Sequence, residues 1–458
     1  MGSWPGEVKR GLKILFFYVF LPLFLAPSCK PGNSSSNAAV LVPPSGFTAT
    51  AITTTRVDLA WAGVPADATS IEIEVSVNGG AFAPLVTLPA AATAYSSTGL
   101  TGSTEYCYRV RSVNPGAQGA WSATVCASTI IVTQISPIPD PANGSPSARM
   151  GHSAVYDSFH DWMVIFGGLA ATGGPSVFTN QLWILDFSVT PAAWTQLSLP
   201  SPPTPRARHS AIYDAAFRRM IVYGGDDGTA SSPLDEVWVL DLSTASPSWS
   251  LFTPLTPVGI GRSLHSAVYD SASQRMVVFG GDDGGGGLGD VLQMDLTAAL
   301  SDWGPPLPTH PSLILESHAA VYDSVLQQMI VFGGNDSGAG ATPYSNETWS
   351  LTLSGTPAWT QLSPTTPPSE RENVAGIYNP STRSMAVFGG SDLSGPYAEL
   401  QKLMLQGPPA CSIVPSSGPA ARIGHSLIFI PAGGRMILFG GGTPPMTPSF
   451  FDVWQFEI

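Results

Sequence analysis

Charge is what this 458-residue sequence has least of: Asp, Glu, Lys and Arg make up 11% of it, against roughly a quarter of an average soluble domain. The 19 basic residues are outnumbered by 32 acidic ones, for a net charge of −13. That surface repels nucleic acid and anionic lipid, so neither is expected as a partner. The 7 His never gather at ligand spacing, so no metal is expected, and no motif calls for a cofactor. The one long apolar run, Ile14 to Ala26, is too short to span a bilayer comfortably. In place of charge there are 48 Gly and 43 Pro, the composition of a turn-rich β protein, which excludes a helical bundle.

Lys9, Arg10 and Lys13 precede that apolar run, which reads as the h-region of an export signal. It ends Leu25-Ala26-Pro27-Ser28-Cys29 and resembles a bacterial lipoprotein lipobox. The resemblance implies that residues 1–28 are removed and that Cys29 becomes a lipidated mature N-terminus, the chain's only expected attachment to a membrane. Ala26 and Ser28 also satisfy the small-x-small rule of an ordinary signal peptidase at the same bond, which leaves Cys29 a thiol. Lys30 stands where such families place Asp for inner-membrane retention, so an outer-membrane or cell-surface location is expected, with a secreted or periplasmic one as the alternative. Loss of the leader's three cations and Glu7 takes the net charge from −13 to −15. Residues 29–41 have the composition of a flexible linker.

From about Pro43 the pattern alternates with period two: Val57, Leu59, Trp61, then Ile71, Ile73, Val75 and Val77 around Glu72 and Glu74, as half-buried antiparallel strands do. The order of landmarks over 42–128, with an early Pro44, Trp61, and Leu100 to Tyr106 as an L-x-x-x-T-x-Y corner, resembles a fibronectin type III domain. In such a corner the Tyr hydroxyl caps nearby backbone. Tyr106, Tyr108 and Val110 then point inward and Cys107 outward, placed to form a disulfide with Cys126 on the last strand.

Residues 129–458 repeat. Gly-Gly doublets close an apolar run at 167, 224, 280, 333, 389 and 440, at spacings of 57, 56, 53, 56 and 51. Each is preceded by a second marker, such as Arg149-Met-Gly-His152-Ser-Ala-Val-Tyr156-Asp157 or Arg206-Ala-Arg-His209-Ser-Ala-Ile-Tyr213-Asp214. After each doublet come a Gly/Asp loop, a strand such as Val237-Trp238-Val-Leu-Asp-Leu242, and a Trp-x-x-Leu strand. The pattern closely resembles the kelch repeat, and six copies imply a six-bladed β-propeller. The expected fold is therefore all-β: a fibronectin type III-like sandwich followed by a six-bladed kelch-type propeller. Val453 to Ile458 reads as a third strand, so residues 130–136 are expected to supply the last blade's fourth strand and remove an open edge. The sandwich is then expected near the junction of the first and last blades.

The repeated Arg (149, 206, 262, 371, 422) and His (152, 209, 265, 318, 425) read as structural, capping loops or pairing with the Asp after Gly-Gly, because every blade has the same problem to solve. Asp226-Asp227 and Asp282-Asp283 read as turn chemistry, the repeated Trp as packing between blades, and Cys411 as a small apolar residue. Departures from the repeat carry more information. Glu316 follows the position where other blades have Arg, and Glu370, Arg371, Glu372 and Asn373 crowd one loop in which Val374 replaces His. These loops enter adjacent blades, so their residues are expected to share one face as a ligand site. The function expected is non-catalytic binding or adhesion, with a surface polysaccharide or another protein as partner. The exported kelch propellers also resemble sialic acid mutarotases, and epimerase chemistry through Glu316, Glu372 and Arg371 is the alternative.

Overall fold

A computed structural model describes residues 41–458 except 54, 103, 130, 135–143, 229–232, 245, 255–260, 298–301, 337–342, 365, 406–408 and 415–417. The leader, Cys29 and the linker up to Val40 lie outside the described residues. Every described element is a strand.

The first module runs β1 (Ser45–Thr53), β2 (Arg56–Ala62), β3 (Ser70–Val77), β4 (Ala83–Pro89), β5 (Ala94–Thr98), β6 (Thr104–Asn114), β7 (Ala117–Gln118) and β8 (Val125–Thr129). One sheet is ordered β1-β2-β5; the other is β4-β3-β6-β7, with β8 also on β6. Val57, Leu59 and Trp61 face Ile71, Ile73, Tyr108 and Val110 across the core. The Tyr106 hydroxyl accepts the Thr101 N–H at 2.9 Å, fixing the corner before β6. Cys107 and Cys126 are opposite one another on β6 and β8 and form a disulfide. Cys107, expected to face outward, is only 7% exposed.

Among the described residues six larger antiparallel sheets follow, beside four small ones of two or three strands. The first strands of the larger six are Ser153–Asp157, Ser210–Asp214, Ser266–Asp270, Ala319–Asp323, Ala375–Asn379 and Ser426–Ile430. Each pairs with an apolar second strand, such as Trp162–Phe166, and that in turn with a third, such as Leu182–Asp186. The second strands are buried on both faces because each sheet is packed between two others, which is why they read as continuous apolar runs rather than alternations. The sixth sheet takes its fourth strand from β9 (Ile131–Gln134), which pairs with Val453–Glu457.

Apolar cores join each sheet to the next. Met163, Ile165 and Trp183 of the first sheet pack in the same way on Ile428, Ile437, Phe439 and Val453 of the sixth. Fourth-strand Trp residues wedge against the preceding sheet: Trp249 on Phe166, Trp359 on Phe279, and Trp194 on Phe439. Gly-Gly recurs because the backbone turns where no side chain fits. Gly167 and Gly168 have φ of 69° and 99°, and a Cβ on Gly167 would meet the Arg206 carbonyl of the next sheet at 2.7 Å.

The sandwich runs from β8 into β9 of the sixth sheet and also meets the fifth sheet. Its β1 lies against Ala410–Val414, and Glu105 is close enough to act on buried Lys402, whose ammonium is held below its usual range by burial.

Candidate functional site

Three sets of repeated polar residues are engaged in building the sheets. Each Arg is buried and donates to the carbonyl of the first Gly of its doublet, as Arg422 does to Gly440 at 2.8 Å. Its other partner is not the Asp after the doublet but the acid or amide two residues before the third-strand Trp position. Arg206 pairs there with Glu236, Arg262 with Asp290, Arg371 with Glu399, Arg422 with Asp452, and Arg149 with Gln181. Four of the five His join two sheets, the Nε2 meeting the Ser of the preceding repeat: His209 with Ser153, His265 with Ser210, His318 with Ser266, and His152 with Ser426, at 2.7–2.9 Å. Burial holds His209, His318 and His425 down to about 3, so they are neutral in ordinary buffers. At the other end of the first strands, Tyr213, Tyr322 and Tyr378 donate to Asp157, Asp270 and Asp323 of the preceding sheet.

Most departures from the repeat come in matched pairs. Val374 replaces a His, and the residue that would have met it is Ala319 instead of Ser; the two pack together. Phe429 lacks the Tyr hydroxyl, and its counterpart is Asn379, not Asp, which donates to the Ile458 carbonyl instead. One pair is broken: Ala375 stands where His425 needs a Ser, and among the described residues the buried His425 Nε2 has no hydrogen-bond partner.

Glu316 and Glu372 have no such compensation. They occupy the position held by Met150, Ala207, Ser263 and Ile423 in the other repeats, and among the described residues neither forms an ion pair. Both are partly buried. Burial, and then the charges of Asp282 and Glu372, push the Glu316 carboxyl up, with Arg208 pulling the other way. Arg208 is itself engaged by Asp226 at 2.9 Å. Burial also pushes Glu372 up, against hydrogen bonds from Asn335 and Asn373.

The next position frames a mouth. Gly151, Arg208, Leu264, Ser317, Asn373 and Gly424 all have φ between 51° and 62°. Each donates its N–H to the carbonyl of its counterpart in the preceding repeat, Gly151 to Gly424, over 2.7–3.3 Å. Within this frame is an apolar hollow lined by Met150, Leu169, Phe178, Leu264 and Met446, with Arg208 and Asn373 also in its wall. Phe178 leans on Gly228, where a Cβ would come within 2.5 Å of its ring.

Of the residues expected at a site, the structure brings Glu316, Glu372 and Asn373 together. Arg371 does not join them: it turns into the fifth sheet, with no exposed surface, and Tyr397 stacks on its guanidinium at 4.2 Å. Glu370 is exposed. Asp282 and Asp283 accept N–H groups of the following glycines, as turn residues do. The one cluster of metal-ligating atoms among the described residues contains the Cys107–Cys126 disulfide. The apolar half of the mouth was not singled out from the sequence, and Asp282 was read there only as a turn residue. For Met150 and Leu264 the signal was the variation at the two positions after the repeated Arg.

Residues 126–298 and 218–404 match the KLHDC2/KLHL20/DRC7 Kelch-repeats domain, and residues 42–127 match the Fibronectin type III domain. Adagio-like protein 1 of Oryza sativa subsp. japonica is 28% identical over 277 residues, covering 54% of this chain and 41% of the rice protein. Host cell factor 2 of Homo sapiens is 30% identical over 167 residues, covering 34% of this chain and 20% of the human one. The chain thus spans about two fifths of the length of the Adagio-like relatives it matches. Among solved structures, the crystal structure of FN3tt is 24% identical, covering 20% of this chain and 95% of its own, with a TM-score of 0.18.

Proposed function

The chain belongs to the KLHDC2/KLHL20/DRC7 kelch-repeat family, and from that premise we propose that it is a non-catalytic scaffold that binds another protein through the mouth framed by Gly151, Arg208, Leu264, Ser317, Asn373 and Gly424. In this reading the six sheets are the blades of one six-bladed propeller. The cycle of hydrogen bonds around the mouth and the packing of the first sheet on the sixth support it. The observation that carries the function is the contrast at the mouth: repeat positions that pack or pair elsewhere hold carboxylates that, among the described residues, form no ion pair, beside an apolar hollow. Such a surface is costly to maintain and is what a recognition site requires.

A protein ligand fits better than a polysaccharide. The repeated Trp residues are engaged between sheets rather than offered as a sugar platform. A sugar epimerase needs Arg371 beside the carboxylates, and its guanidinium is engaged with Glu399. Export with a lipid anchor at Cys29, and a cell-surface location, remain part of this proposal; the leader and the Cys107–Cys126 disulfide support an oxidising compartment. The test is to pan a displayed random peptide library on the mature chain and on a Leu264→Asp, Met446→Asp variant. Binders lost in the variant support the mouth; binders that ignore it, or none beyond background, contradict it.

A further inference from the structure

The two halves of the mouth differ in chemistry. Toward the first and sixth sheets the wall is Met150, Leu169, Phe178 and Met446. Toward the third to fifth sheets it is acidic: besides burial, the nearby charges of Asp282 and Glu372 push the Glu316 carboxyl up. The halves are joined, because Asn373 lines the hollow and also hydrogen-bonds Glu372. Tyr344 stands near the same carboxylate: burial, and then the charges of Glu372 and Asp392, raise its hydroxyl. Arg208 offsets the charge of Glu316 from the side while its guanidinium is paired with Asp226.

Two further observations bear on what seats here. Leu264 and Arg208 hold φ of 58°, a conformation that costs a side chain about 1 kcal/mol, where the first and sixth repeats use glycine at the equivalent position. Side chains are thus kept at the rim against the backbone's preference. The carboxylates are partly buried and, among the described residues, in no ion pair, the state in which an incoming guanidinium or ammonium gains most.

We propose that the mouth takes a segment of a partner protein in which a cationic side chain, held by Glu316 and Glu372, adjoins an apolar side chain seated on Leu169, Phe178 and Met446. This rests on the protein-binding reading above. A planar guanidinium can bridge two carboxylates. An acidic segment is excluded by the same charges.

The probe is a random linear 12-mer display library panned on the mature chain, followed by synthetic copies of the selected peptides measured by fluorescence polarisation. The expected result is enrichment of Arg or Lys next to an aliphatic or aromatic residue. Affinity should fall at least about tenfold in Glu316→Gln/Glu372→Gln, and also when the peptide's basic residue is replaced by Gln. Mouth-directed peptides that lack a basic residue, or basic peptides indifferent to Glu316→Gln/Glu372→Gln, overturn this inference and leave the protein-binding mouth standing. Failure to select any peptide that competes at the mouth overturns both.

Discussion

Inside the fifth sheet, Arg371 has no exposed surface and directs its guanidinium to the Gly389 carbonyl and Glu399. One residue on, the Glu372 carboxylate is partly buried at the mouth with amides as partners and no cation among the described residues. The first arrangement answers every buried charge; the second leaves one to be answered from outside. Buried polar groups in a structural role come with partners, so a repeat position where the partner is missing marks a place the fold alone does not explain.

The comparison is broken most severely by removing Arg371. Arg371→Ala leaves Glu399 without its cation and the Gly389 carbonyl without its donor, and should cost roughly 3–5 kcal/mol, read as a lower denaturation midpoint. Next is the His–Ser ladder. Ser210→Ala orphans the buried His265 Nε2 and should cost about 1–3 kcal/mol. Val374→His should be similarly damaging alone and largely recovered when Ala319→Ser supplies the missing hydroxyl, a coupling that a double-mutant cycle measures directly. Smaller and opposite in sign is Ala375→Ser, which offers His425 a partner and should stabilise by roughly 1 kcal/mol. If that substitution destabilises, His425 is not orphaned and the pairing rule fails.

Much of this was legible in the sequence, because a sixfold repeat shows each structural solution several times. The Gly-Gly doublets, the Trp strands and the fibronectin-like corner at Tyr106 each has one physical job and one residue type that does it. Pairing across repeats was not legible: that Val374 answers Ala319, or Asn379 answers Phe429, depends on which sheet each strand meets. Arg371 was misplaced for a related reason. Neighbouring residues in a strand point to opposite sides, so a loop crowded with charge in sequence separates in space, and only Glu372 and Asn373 reach the mouth. Glu316 was legible as an oddity, but its company with Asp282 required the fold.

The smallest effect is the most direct test of the central assignment. Glu316 and Glu372 are both held above their unfolded values. The folded chain therefore binds more protons than the unfolded one between the two values, and stability is lost as pH rises through that window. Thermal unfolding of the wild type and Glu316→Gln/Glu372→Gln should be followed from about pH 7 down to about pH 4, near the ordinary Glu value. If these carboxylates serve a ligand, the variant melts higher than the wild type at neutral pH and the gap closes as the pH falls. A variant that melts lower at neutral pH would contradict the assignment, since the carboxylates would then be holding the fold together.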